Sequence, residues 1–106
     1  MNVKDRNDRA DVLFSDCLSL LDKKGADYAI NQGAFENFEM IADAAGITRE
    51  QVLQVLMTKH LFTIKKVILG GKSTTEPIRQ RIIDVINYLA ILEAMLSEND
   101  STDPSS

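Results

Sequence analysis

Apolar residues recur at spacings of three and four along most of this chain, the period of amphipathic helices. No segment alternates with the two-residue period of a half-buried strand. Leu13, Phe14, Cys17, Leu18, Leu20 and Leu21 form one wide apolar face between Asp8 and Lys24. Lys23 and Lys24 suit the negative end of a helix dipole, and Gly25 supplies a stop. A short second helix is predicted where Phe35, Phe38, Ile41 and Ala42 recur before Gly46. Thr48 and Gln51 have capping-box spacing at the head of a third, along which Leu53, Leu56, Met57, His60, Leu61, Ile64 and Ile68 mark one side as far as Gly70 and Gly71. Pro77 opens the fourth, because the first turn does not need its missing N–H. Ile78, Ile82, Val85, Leu89, Leu92 and Leu96 form its stripe, while Ile83, Ile86, Ala90 and Ile91 carry the apolar surface well round the cylinder. A helix of that kind is expected to be covered on more than one side.

The fold expected from this pattern is all-α: a four-helix antiparallel bundle, mostly up-and-down, occupying residues 1–96 as one domain. The remaining segment, SENDSTDPSS, has no apolar anchor and is expected to be a disordered acidic tail over residues 97–106. A chain of 106 residues has room for one modest core, and its surface-to-volume ratio favours pairing. A homo-oligomer, dimeric or higher through the third and fourth helices, is therefore expected.

Composition narrows the function classes. The balance of 44% hydrophobic and 26% charged residues is that of an ordinary globular protein, with no apolar run near the roughly 20 residues of a membrane span. The N-terminal MNVKDRNDRADV has no apolar signal region, and the single cysteine, Cys17, can form no internal disulfide. Both features point to the cytoplasm. The net charge of −4 is unevenly spread: Arg49, Lys59, Lys65, Lys66, Lys72, Arg79 and Arg81 face only Glu50 and Glu76 within residues 49–81, giving +5 there and −9 elsewhere. The basic part suits a phosphate-bearing ligand or an oppositely charged patch on a second copy, although a solvated helix face reads the same way. A duplex nucleic-acid binder would be basic overall, which this chain is not.

The most informative chemistry lies inside the fourth helix. Glu76, Gln80, Asp84 and Asn87 fall at i, i+4, i+8 and i+11 and share a face, with Asp84 set among Ile82, Ile83, Val85 and Ile86. A carboxylate there is costly to desolvate unless it is paired, hydrogen-bonded or metal-bound. Two roles stay open: a structural bond to Arg81, Lys59 or Tyr28, or a ligand-binding or metal-binding carboxylate. Glu36 and Glu39 form an E-x-x-E pair on one side of the second helix. Such a pair is either an exposed acidic face or, joined by a third carboxylate, a Mg²⁺ site able to bridge to phosphate.

Three segments carry a family resemblance: LLDKKGADYAINQGAFENFEMIA, MTKHLFTIKKVI and EPIRQRIIDVINYLAIL. With K-x-x-D-Y at Lys24 to Tyr28, F-x-N-F at Phe35 to Phe38, Lys59, and D-x-I-N-Y-L at Asp84 to Leu89, the chain from Leu20 to Met95 resembles the phage-type nucleotide modification associated domain 1 group. That group in turn resembles the MazG-like all-α nucleotide pyrophosphatases. The resemblance implies a MazG-like fold that binds a nucleoside triphosphate between its helices, holds Mg²⁺ on carboxylates and releases pyrophosphate. Glu36, Glu39 and Asp84 would hold the metal, Lys59 and Arg81 would meet phosphates, and Asn87 and Tyr28 would orient the base or sugar. One departure matters. MazG-like enzymes follow E-x-x-E with E-x-x-D, and where the glutamate of the second pair belongs this chain has Arg81, which removes a ligand and adds a cation beside the proposed metal. The interval between the two acidic pairs is also longer than in that pattern. Binding without hydrolysis is thus one expectation, and a phage-encoded interaction module that inhibits a host or defence protein through its charged surface is the competing one.

Other apparent motifs carry no chemistry. GGKST imitates the end of a P-loop, but Lys66 stands where the first glycine belongs and no strand precedes it. His60, the single histidine, reads as packing on the apolar side of the third helix, and Met40, Met57 and Met95 read as core filler.

Overall fold

The computed structural model describes residues 1–28 and 33–101, with side chains for 1–24 and 33–100. It is all-helical, with four helices and no strand among the described residues: α1 (Val3–Tyr28), α2 (Glu36–Ala45), α3 (Arg49–Ile68) and α4 (Ile78–Ser101). Among the described residues no helix is long and apolar enough to cross a membrane.

Local signals set most boundaries. Asn2 Oδ1 accepts from the amide of Asp5 at 2.8 Å, so α1 starts at Val3, five residues before Asp8, where the predicted segment begins. It also runs through Gly25, because one helical glycine costs only about 1 kcal/mol against alanine. Gly46, in the left-handed conformation (φ 71°), closes α2 by returning its N–H to Ala42 O. At the head of α3 the capping box is complete: the Gln51 amide donates to Thr48 Oγ1 (3.1 Å) and the Thr48 amide to Gln51 Oε1 (2.9 Å).

The fourth helix does not stop at Leu96 but continues to Ser101, the first five residues of the expected tail; residues 102–106 lie outside the described part. Arg49, with the Asn99 Nδ2–Glu50 Oε1 bond of 2.8 Å beside it, accounts for the extension. Its guanidinium donates to Met95 O (3.2 Å), Glu98 Oε1 (3.1 Å) and Asn99 Oδ1 (2.9 Å), tying the last turns of α4 to the start of α3.

The packing order is α2 on α3, α3 on α4 and α4 on α1, with α3 and α4 antiparallel. Phe38, Ala42, Val52, Leu53 and Met95 form the buried core, with Phe35, Leu56, Met57, Tyr88, Ile91 and Leu92 packed against it. Cys17 and Ile83 are buried as well. The all-round apolar character of α4 thus has an internal explanation: α3 and α1 both pack on it, although Leu89 and Leu96 stay about half exposed. The first two turns of α1 are exposed, and the molecule measures 47 × 29 × 29 Å.

Candidate functional site

Among the described residues three polar side chains lie deep in the domain. His60 is 5% exposed, and Asp84 and Asn87 are 9% exposed each. Asp84 and Asn87 project from one face of α4, as i, i+3 neighbours must, and the antiparallel α3 brings His60 against that face.

Each is held by specific partners. Asp84 Oδ1 accepts from Gln80 Nε2 (3.0 Å) and from Lys24 Nζ (3.4 Å), so the carboxylate is partly neutralised from α1. Its other oxygen, Oδ2, lies 3.8 Å from His60 Nδ1. Arg81 NH1 stands 3.0 Å from that same Nδ1, while its NH2 donates to Thr75 Oγ1 (2.9 Å). Arg81 Nε is buried without an acceptor among the described residues, with Glu76 Oε2 at 3.7 Å. A guanidinium can only donate, so Nδ1 of His60 is the acceptor and the neutral ring carries its proton on Nε2. Burial lowers the His60 pKa below its ordinary value, and Arg81 and Lys59 push the same way against the opposing pull of Asp84. Asn87 Nδ2 donates to the Cys17 carbonyl at 3.0 Å, bracing α4 against α1.

These groups open onto a cleft of about 780 Å³ between the four helices. Phe35, Phe38, Tyr88 and Ile91 give it an apolar wall, and Lys24, Glu36, Lys59 and Glu76 join the buried trio as its polar lining. The Phe38 and Tyr88 rings meet edge to face at 6.3 Å, and the His60 ring lies 5.8 Å from Tyr88.

Of the residues singled out from the sequence, Asp84, Asn87, Lys59 and Glu36 share this cleft. Arg81 is not in its lining but stands with Lys59 along a second hollow of about 690 Å³ beside Thr58, Phe62 and Thr75. The Tyr28 side chain lies outside the described residues. The expected trio of Glu36, Glu39 and Asp84 does not assemble: Glu39 is not in the cleft but paired with Arg49 NH1 at 3.0 Å. Sequence reasoning gave no site role to Lys24, read as a dipole partner of its own helix and as part of K-x-x-D-Y, and passed over the polar side of His60. Spacing within one helix identifies neither, because both act across helices.

The fit to a divalent ion can be judged from the donors. Among the described residues, ligand atoms of His60, Glu76 and Asp84 come within 4.8 Å of one another. Mg²⁺ requires near-octahedral oxygen donors at about 2.0–2.1 Å. Here the Nδ1 lone pair is engaged by Arg81, and both carboxylates already have a cation beside them. The residues present do not fit Mg²⁺. They fit a ligand that hydrogen-bonds.

Comparison with protein-family models, curated proteins and solved structures gave no match.

Proposed function

We propose that this protein binds a nucleotide or nucleotide-like phosphate ligand in the cleft between its helices and does not hydrolyse it. The observation that carries the reading is the meeting, in one cleft, of an aromatic wall, three buried polar groups able to fix an orientation, and the cation Lys59 at the rim. In this reading Lys59 meets the phosphate, the ring system packs on Phe38 and Tyr88, and Asp84, Asn87 and His60 read polar edges. Arg81 is a positioning residue that holds His60. The magnesium-dependent pyrophosphohydrolase suggested by the MazG-like, phage-type resemblance has less support, because Glu39 lies elsewhere and Arg81 and Lys24 compensate the acids that a metal would need.

Titration calorimetry with nucleoside mono- and triphosphates, with and without Mg²⁺, tests this. Saturable binding that needs no Mg²⁺ and weakens in Lys59→Ala is expected, with no pyrophosphate released. Failure of every nucleotide to bind sinks the reading, and metal-dependent pyrophosphate release overturns its non-hydrolytic part.

A second reading, an oligomeric interaction module that engages a host or defence protein, draws on a different observation. Val12, Phe14 and Leu18 of α1, Val55 and Phe62 of α3, and Leu89 and Leu96 of α4 are all exposed. Light scattering across micromolar concentrations that shows only the monomer mass would remove the self-association on which this reading draws.

A further inference from the structure

The cleft floor has an unusual hydrogen-bonding inventory. One N–H of Asn87 Nδ2 is used by the Cys17 carbonyl, which fixes the amide so that Oδ1 is an acceptor with no partner among the described residues, beside the second N–H. Asp84 Oδ1 is occupied by Gln80 and Lys24, whereas Oδ2 receives no hydrogen bond from them and has only the His60 ring at 3.8 Å. His60 accepts from Arg81 through Nδ1 and so presents Nε2–H as a donor. Arg81 Nε is the one fully enclosed side-chain polar atom without a partner among the described residues, so the three free atoms remain open to a ligand. All three residues line the same cleft, about nine-tenths buried or more. Taken together, the two acceptor oxygens of Asp84 and Asn87 and the His60 donor match a ligand edge with two donors and one acceptor.

Among the common nucleobases only one has that edge. Guanine carries N1–H and the 2-amino group as donors and O6 as acceptor. Adenine offers one donor and one acceptor, cytosine one donor and two acceptors, and uracil one donor between two acceptors. Resting on the nucleotide-binding reading above, we infer that the cleft selects a guanine nucleotide, with Asp84 Oδ2 and Asn87 Oδ1 accepting from N1–H and the 2-amino group and His60 Nε2–H donating to O6. Because the Phe38 and Tyr88 rings stand 79° apart, the flat purine lies against one of them with the other at its edge, and its phosphate reaches Lys59. Selection of this kind is strong because a mismatched base leaves buried polar groups unpaired.

The experiment compares guanosine, inosine and adenosine 5′-monophosphates by titration calorimetry on the unaltered full chain, so folding is not at issue. Inosine lacks only the 2-amino group and is expected to bind about tenfold more weakly than guanosine. Adenosine, whose edge conflicts with the floor at two positions, is expected to bind more weakly by about a hundredfold. Asp84→Asn supplies the second arm. Lys24 can only donate toward the Oδ1 position, which favours the amide nitrogen at the Oδ2 position and turns an acceptor into a donor, and the preference for guanine over adenine should be lost. Adenosine or cytidine 5′-monophosphate binding as tightly as the guanosine form overturns the guanine assignment and leaves nucleotide binding standing. Equal affinity for all bases, lost with the 2′,3′-dideoxy forms, shows the acceptors reading the sugar and likewise overturns it. Absence of binding by any of them overturns both.

Discussion

Replacing Arg49 with alanine tests the reading of how α4 is held. The Arg49 side chain is 13% exposed and joins three helices: it pairs with Glu39 of α2, with Glu50 at the head of α3, and with Met95 O, Glu98 and Asn99 of α4. Its guanidinium also stands 4.8 Å from the centre of the Phe35 ring. The contributions differ in kind. Glu39 and Glu98 are 52% and 56% exposed, so their pairs are worth about 0.5 kcal/mol each. The bonds to Asn99 and the Met95 carbonyl count for about 1 kcal/mol each, and the ring contact for about 0.5 kcal/mol. Burial of the aliphatic stem adds about 1 kcal/mol. These contacts share partners and do not add fully, so the expected loss is roughly 3 kcal/mol. Against a total stability of about 5–15 kcal/mol for a domain of this kind, that is a large fraction. Urea unfolding followed by helical circular dichroism should move its midpoint by about 2 M, given a slope of about 1.5 kcal/mol per molar. Hydrogen exchange should show the turn from Met95 to Ser101 losing protection first. A loss below about 1 kcal/mol, or unchanged protection in that turn, would refute the idea that Arg49 is what extends the helix.

Other expectations follow from the site. Glu39→Gln should leave nucleotide affinity unchanged, since Glu39 faces Arg49 and not the cleft, whereas Asp84→Asn should weaken guanosine monophosphate binding by about tenfold; equal effects would mean that the acids act together after all. Because burial first, then Arg81 and Lys59, depress the His60 pKa, the unfolded chain takes up that proton near pH 6.5 and the folded chain only at lower pH. Stability should be flat in this respect above pH 6.5 and fall as pH drops below it, and His60→Gln should lessen the loss between pH 7.5 and 5.5; an unaltered pH dependence contradicts the buried neutral ring. Arg81→Glu should lower the unfolding temperature by placing a third carboxylate near Glu76 and Asp84 without the guanidinium, and millimolar Mn²⁺ should restore part of it. If Mn²⁺ has no effect on that variant, the cation at this position is not what keeps a divalent ion out.

Much of this arrangement was legible in the sequence because it is local. The number and order of helices follow from apolar periodicity, and the Thr48–Gln51 box and the Gly46 cap are contacts within a few residues of chain. The polar line on α4 was equally legible, since helical spacing alone puts Gln80, Asp84 and Asn87 on one face. What failed to appear are pairings across helices. Asp84 is partnered by Lys24, 60 positions away, while Arg81, Lys59 and Tyr28 were the partners considered. Glu39 looked like half of an acidic pair because Glu36 is three residues away, yet it pairs with Arg49 of the next helix and does not line the cleft. The polar-rich segment after Leu96 read as tail because its anchor is also Arg49, and composition does not reveal a partner 49 or 50 positions back.

Charge balance at the cleft decides which kind of ligand it can take. Lys24 stands beside Asp84 and Arg81 beside Glu76, so the deep end has no surplus negative charge to offset the dehydration of a divalent ion. Near neutrality there has a second effect. Recognition of the ligand's buried end must come from donor and acceptor geometry, because no net field favours a charge of either sign. The long-range attraction then falls to Lys59 at the rim, where a phosphate would sit in water. The two parts should therefore respond differently to salt. Raising ionic strength should weaken overall affinity through the exposed lysine while leaving the ratio of guanosine to inosine binding nearly constant, since buried hydrogen bonds are screened far less. A ratio that collapses with salt would place the discrimination at the surface and not at Asp84, Asn87 and His60.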